Sequence, residues 1–528
     1  MLNSIKRDLG IHINVQKQTP ATNVGSFADA VKTDFFAPKI TETQNGNIAF
    51  STSGTPIVDF FFQAAAMRNW SAKEKRIAFS KAYAEDKLIS LRLLFYFRDI
   101  REGQGERELF RDIISDLAKY DPATVRKNLP LFSEYGRWDD LFCLLDTTLK
   151  KDVVALIADQ LEKDWADEFP SLLAKWMKSE NTSSSKSRKI AVSLASSLGL
   201  SKKEYRLMLV KLRAKINIVE TKISKGDYAS IDYSNIPSNA AMKYRKAFYT
   251  HDADRYDAYL EALSKPAEER APQFKDVKVN AKTLYPHEIV SKIMNLRPNY
   301  QISKVNLASQ QVALFEAQWK ALPDYFKGNQ ENILPIADLS GSMSGVPMDV
   351  AIALSIYAAE RNVGKFKDIW MNFSSSPSYQ VLSGDSLYEK VRNLNFHDWG
   401  MTTDINKALQ LVLDTGLNNN LAQSEMPSKI IILSDMQFDR CVQNAQDGGL
   451  LETFKKKFLV AGFDFPQIVF WNLNATDQTA PTFSKQGVAL VSGFSPQMFS
   501  NIFGDLGSAM DVVLKAIEGV RYEAVQLG

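Results

Sequence analysis

ILPIADLSGSMSG (Ile333–Gly345) runs from an apolar segment into an aspartate, then sets Ser340 and Ser342 at alternate positions among glycines. An apolar run of that length, closed by polar and turn-forming residues, reads as a strand buried on both faces. Outward from it, comparable runs recur at Asp368–Ser375 (DIWMNFSS), Lys429–Asp435 (KIIILSD), Pro466–Asn474 (PQIVFWNLN) and Gly487–Gly493 (GVALVSG). Helical patterns alternate with them at Val346–Arg361, Asp404–Leu413, Leu450–Val460 and Gly507–Ile517. Strand and helix in alternation predict an α/β region with a parallel sheet and helices on both faces. Ligands of such open sheets sit in the crevice at the carboxyl ends of the strands.

Asp338 closes the first of these strands, and Asp435 follows the strand KIIILS. The segment FHDWGMTT (Phe396–Thr403) precedes the helix starting near Asp404 and is a further loop able to reach the same edge. Asp338, Ser340, Ser342, Thr403 (or Thr402 one residue earlier) and Asp435 form an all-oxygen candidate metal set. Hard oxygens with few carboxylates suit Mg²⁺, with Mn²⁺ or Ca²⁺ as the other divalent cations of that chemistry. Gly341 and Gly345 leave the loop free to fold over an ion. Asp and Ser are also favoured helix caps, so the triplet alone would fit a polar turn; the second aspartate at a second strand end favours the cation.

No catalytic pattern competes with this one. The turn Gly103-Gln104-Gly105-Glu106-Arg107 is too short for a phosphate loop and lacks its Gly-Lys-Ser/Thr ending. The region Gly341–Gly345 offers no nucleophile elbow, and His12, His251, His287 and His397 are scattered without metal spacing. His397 and Asp398 lie near enough in sequence to support the metal loop. The expectation is a protein that binds rather than catalyses.

Before Asn332 the pattern changes. Residues 1–50 are polar and aperiodic, an N-terminal arm, and residues 51–330 are helical almost throughout, which leaves 331–528 as the α/β domain. LISLRLLFYFRDI (Leu88–Ile100) is apolar nearly all round, as in a helix covered on both sides. In SKKEYRLMLVKLRAK, Tyr205, Met208, Leu209 and Leu212 form one stripe, and Leu207 and Val210 imply a second covered face. Many short two-faced helices joined by polar turns predict a stacked α-solenoid. Across all 528 residues, two cysteines exclude a disulfide framework, and no apolar run approaches a membrane span. The N-terminus lacks a signal-peptide core, so a soluble, cytoplasmic protein is expected.

The residues of the strand-end set resemble the metal-ion-dependent adhesion site of von Willebrand factor A domains. That resemblance implies that Ser340, Ser342 and an outer residue bind the ion directly, and that an acidic residue from a partner completes its shell. FRDIREGQGERELF (Phe97–Phe110), EYGRWDDLF (Glu134–Phe142), LLAKWMKSENTSS (Leu172–Ser184) and YRLMLVKLR (Tyr205–Arg213) resemble the helical module of TROVE-type proteins. A TROVE-like module followed by a von Willebrand A domain is the order of the Ro autoantigen superfamily. The likeness, to a branch whose domains are of unknown function, covers nearly all of residues 40–525, including SDMQFD and VFWNLN. It implies a solenoid or ring of HEAT-like repeats that binds structured or single-stranded RNA, joined to a Rossmann-like α/β domain.

Charge supports that expectation modestly. Residues 331–528 hold 14 Lys and Arg against 21 Asp and Glu, leaving the remaining 330 residues with 50 basic and 40 acidic ones. Lys175–Lys225 alone contains 13 basic and 3 acidic residues. Within it Lys203, Arg206, Lys211, Arg213 and Lys215 are the candidates for a phosphate backbone, and Trp176, Tyr205 and Tyr228 for stacking on bases. Two functions remain open from sequence. One is an RNA-binding ribonucleoprotein component with a cation-dependent ligand domain. The other is a protein-interaction scaffold that recruits an acidic partner through the metal, without RNA.

Overall fold

A computed structural model describes residues 40–42, 48–50, 52–296, 312–373, 376–394, 404–437, 449–474 and 487–528. Two short strands, β1 (Ile40–Glu42) and β2 (Ile48–Phe50), pair antiparallel ahead of a helical region that runs from Pro56 to Met294. A six-stranded sheet follows: β3 (Ile333–Asp338), β4 (Ile369–Phe373), β5 (Ser378–Val381), β6 (Lys429–Ser434), β7 (Gln467–Asn472) and β8 (Val488–Ser492). The chain is therefore a helical region followed by an α/β region.

The sheet order is β5-β4-β3-β6-β7-β8. All neighbours run parallel except β5, which pairs antiparallel with β4 at the edge. The parallel strands explain the apolar runs: β3, β6 and β8 are buried at every position. Trp370 in β4 and Trp471 in β7 are fully buried, each contributing about 2–3 kcal/mol of apolar burial. The helix Val346–Arg361 follows β3 and buries an unbroken run from Val350 to Ala359, because Pro286–Met294 of the helical region covers it from outside.

The helices form where local chemistry starts and stops them. In Lys202–Ile216, Ser201 and Glu204 make a reciprocal capping box, and Asn217 ends the helix in the left-handed region at φ 55°. Tyr205, Leu209 and Leu212 are buried as the stripe requires. The second covered face is absent: Leu207 and Val210 are 49% and 59% exposed. Lys87–Arg98, by contrast, buries residues all round: Ser90, Leu91 and every residue from Leu93 to Arg98.

One apolar core runs through both regions, with a separate cluster of Tyr233, Phe248, Tyr256 and Tyr259 in the later helices. The chain from Pro38 to Gly528 is one compact unit. Polar contacts join its parts at the carboxyl ends of β7 and β8. Asn472 Nδ2 donates to the carbonyl of Phe62 at 2.9 Å, the amide of Ala65 donates to Ser492 Oγ at 2.9 Å, and the Arg68 guanidinium lies 3.4 Å over the Phe494 ring. The C-terminal segment is strapped to the helices as well. Arg521 Nη2 donates to Asp99 Oδ1 at 2.9 Å, Asn128 Nδ2 to the Gln526 carbonyl at 2.6 Å, and the Gly528 amide to Thr124 Oγ1 at 2.9 Å. Among the described residues no helix is long and apolar enough to cross a membrane.

Candidate metal centre

From β3 the chain moves outward to β4 and β5, then returns to lay β6 against the other side of β3. The connections reverse direction between β3 and β6, the point at which open α/β sheets place their ligands. Asp338 is the last residue of β3, and Asp435 follows Ser434, the last of β6. Parallel register then brings the two carboxylates together: Ala337 lies opposite Leu433, so Asp338 falls beside Ser434.

Asp338 is fully buried. Its Oδ1 accepts from the Ser340 amide at 2.9 Å, and its Oδ2 from Ser434 Oγ at 2.6 Å. Asp435 is 1% exposed, and its Oδ1 accepts from the Gln437 amide at 3.1 Å. Burial, and next the Asp435 carboxylate, push Asp338 up to about 7 despite the hydrogen bonds from Ser434 and Ser340. Among the described residues no Lys or Arg forms an ion pair with Asp338.

The loop after β3 carries the hydroxyls. Gly341–Met343 is a single 3-10 turn anchored by the buried Met343, and Ser340 Oγ lies 3.1 Å from the exposed Ser342 Oγ. Gly345 closes it at φ +91°, a conformation that side chains disfavour. After β6, Met436 takes φ +67° although it is not glycine, and its amide donates to Ser434 Oγ at 3.0 Å. Ser434 thus ties both carboxylate loops together, a role sequence reasoning missed. A serine at the end of an apolar strand carries no periodic signal that would single it out. Thr402 and Thr403 lie outside the described residues, as do His397 and Asp398; Asp404 caps the helix Ile405–Asn418 through the Asn406 and Lys407 amides.

Two carboxylates and two hydroxyls at one strand edge fit a hard divalent cation that keeps water or a ligand oxygen in its shell. Among the described residues, no three His, Cys, Asp or Glu side chains gather into a metal-ligating group; the set at the ends of β3 and β6 has two carboxylates. His251 instead stacks on Tyr228 with centroids 4.8 Å apart. His287 stacks on Tyr285, and burial lowers it to about 3.

The basic candidates have structural engagements. Arg213 donates to the carbonyls of Ala174 and Met177 at 2.9 and 2.8 Å, clamping the segment ahead of it. Arg206 pairs with Glu180 at 2.7 Å, and Lys215 donates to the carbonyls of Trp165 and Asp167. Lys211 lies 5.4 Å over the Trp165 ring. Lys203 is exposed. Of the aromatics, Tyr205 is buried with its hydroxyl donating to the Lys178 carbonyl, and Trp176 is covered by the Arg137 guanidinium at 3.9 Å.

Comparison with known proteins corrects the expected family. A family described as Domain of unknown function (DUF2828) matches residues 43–168 and 170–329, and another, Domain of unknown function (DUF7788), matches residues 332–519. Neither is the TROVE-type or von Willebrand A family that the motifs resembled. "Uncharacterized protein L728" of Acanthamoeba polyphaga mimivirus is 31% identical over 523 residues, spanning 90% of this chain and 87% of that protein. The chain belongs to the DUF2828 family, with the DUF7788 region making up its α/β part.

Proposed function

We propose that this protein is a non-catalytic, divalent-cation-dependent binding protein. Asp338, Ser340, Ser342 and Asp435 hold a Mg²⁺-class ion, and an acidic side chain of a protein partner supplies an oxygen to its open position. One observation carries this reading: two buried carboxylates and two serine hydroxyls converge at the point where the strand order reverses. Like charges held that close in a buried site are relieved by a cation. The helical region meets the sheet at the carboxyl ends of β7 and β8, away from the two carboxylates at the ends of β3 and β6. We infer further that the helices stack as a HEAT-like solenoid. Packing of sequence neighbours supports it: Ala72–Glu85 on Lys87–Arg98, and Ser238–His251 on Ala253–Ser264.

Affinity capture by the full chain, with and without chelator, tests this function. Partners retained in Mg²⁺ and lost both on chelation and in Asp338→Asn support it; capture indifferent to both sinks it. A second reading is favoured by the exposed Lys186, Arg188, Lys189, Lys202, Lys203 and Lys211 on two consecutive helices. In that reading the helical face binds an RNA backbone and the protein is a ribonucleoprotein component. Crosslinking in cells, with sequencing of attached RNA, separates the two: a defined population lost in a Lys203/Lys211 charge-removal variant favours RNA.

A further inference from the structure

Residues Gly105–Leu109, with Arg68, Arg98, Ile100 and Arg137, line an open cleft of about 390 Å³ in the helical region. Arg68, Arg98, Arg107 and Arg137 line it against two acids, Glu106 and Glu108. Those acids are unevenly committed. Glu106 holds Arg68, with Arg68 Nε donating to Oε2 at 3.0 Å, whereas the Arg107–Glu108 pair is exposed on both sides and weak.

The deeper arginines are pinned from behind. Arg98 is 2% exposed and pairs with Asp140 at 2.7 Å; Arg111 reaches the same carboxylate at 2.7 Å; Arg137 donates through Nε and Nη2 to Asp139 at 2.9 and 3.0 Å. Gly136 allows this arrangement, since a Cβ there would stand 2.7 Å from Arg98 Cζ. Burial lowers the Arg98 guanidinium from its usual value, and Arg137 and Arg111 add to that against the pull of Asp140. A guanidinium carries five N–H donors, so each arginine keeps donors beyond these bonds. Among the described residues, neither Nη atom of Arg107 nor Nη1 of Arg137 makes a hydrogen bond. The 14-residue helix Arg107–Tyr120 also starts at this cavity, and Glu106 at its N-cap makes no side-chain capping bond. Its first-turn amides and positive dipole end therefore face the same space.

We propose that this cavity binds a small phosphomonoester, its phosphate received by Arg107, Arg137 and the first-turn amides of Arg107–Tyr120. The organic part lies against Ile100 and Leu109, the apolar lining. The volume is at the lower end of small-molecule pockets, roughly 300–1,000 Å³, which fits a ligand of mononucleotide size. Bidentate guanidinium donation and a helix N-terminus both match phosphate oxygens.

Calorimetric titration of the full chain in chelator tests this independently of the cation site, with adenosine 5′-monophosphate, inorganic phosphate and adenosine as probes. The monophosphate is expected to bind saturably, phosphate more weakly, and adenosine not at all. Arg107→Ala, at an exposed pair, should weaken the monophosphate about tenfold, and Glu108→Gln should strengthen it by removing the competing carboxylate. Absence of monophosphate and phosphate binding up to about 10 mM, or equal binding by Arg107→Ala, overturns the proposal. So does adenosine binding as tightly as its monophosphate.

Discussion

Replacing Asp338 by asparagine removes one charge from a fully buried position, and the sign of its effect on stability follows from the site's geometry. Asp338 stands at about 7 in the folded chain against an ordinary 3.8. At roughly 1.4 kcal/mol per unit, that upward shift means the carboxylate destabilises the cation-free protein by about 4 kcal/mol above the folded value. The sign runs opposite to that of a salt-bridged aspartate. A raised carboxyl gives stability that is present at low pH and is lost as pH rises from near 4 to about 7. Asparagine keeps the Ser340 amide as donor to its oxygen, and Ser434 Oγ turns to accept from its Nδ2, so little hydrogen bonding is lost. Asp338→Asn should therefore stabilise the chelator-treated protein by about 2–4 kcal/mol at pH about 8, and by about half as much at pH about 5.5. Urea unfolding followed by tryptophan emission reads this, because Trp370 and Trp471 are buried in the same sheet. A variant less stable than the parent at the higher pH, without cation, would refute the account of a strained carboxylate pair.

Other consequences follow from neighbouring contacts. Among the described residues, Arg521→Ala leaves the buried Asp99 carboxylate with Tyr522 and the Arg101 amide, and should lower stability by about 2–3 kcal/mol and expose residues 519–528 to proteolysis. Met436→Gly relieves a left-handed backbone worth about 1–2 kcal/mol but discards a side chain that is 1% exposed, worth about 2–3 kcal/mol. A net loss of about 1 kcal/mol in thermal unfolding is expected there. Gly136→Ala should cost about 3 kcal/mol, since its Cβ would lie 2.3 Å from Asp140 Oδ2 and force apart the Arg98–Asp140 pair; circular dichroism melting reads it.

The α/β region was legible because parallel strands buried on both faces leave unbroken apolar runs such as Ile430–Leu433. The edge strand Ser378–Val381 has only one buried position and no such signature, so it went unread, and the sheet is mixed where a parallel one was expected. Asp338 and Asp435 stood out because each ends an apolar run; Ser434 did not, because a serine inside a strand has no pattern of its own. The joining of helices to sheet was invisible for a related reason. It rests on Asn472, Ser492 and Asn128, polar residues bonded to backbone about four hundred positions away, which no local periodicity encodes. Composition marked Arg213 as a surface cation, yet its three hydrogen bonds to residues 174–179 turn it inward. Leu207 and Val210 mislead in the opposite direction: their apolar character implies a covered face, and both are exposed.

The most direct test of the account is an equilibrium titration of the full chain with Mn²⁺, with free metal read by electron paramagnetic resonance. About one saturable site per chain is predicted, displaced by Mg²⁺, lost in Asp338→Asn and weakened in Ser340→Ala. Binding that is absent up to about 1 mM, or unchanged in Asp338→Asn, would contradict a cation held between the ends of β3 and β6.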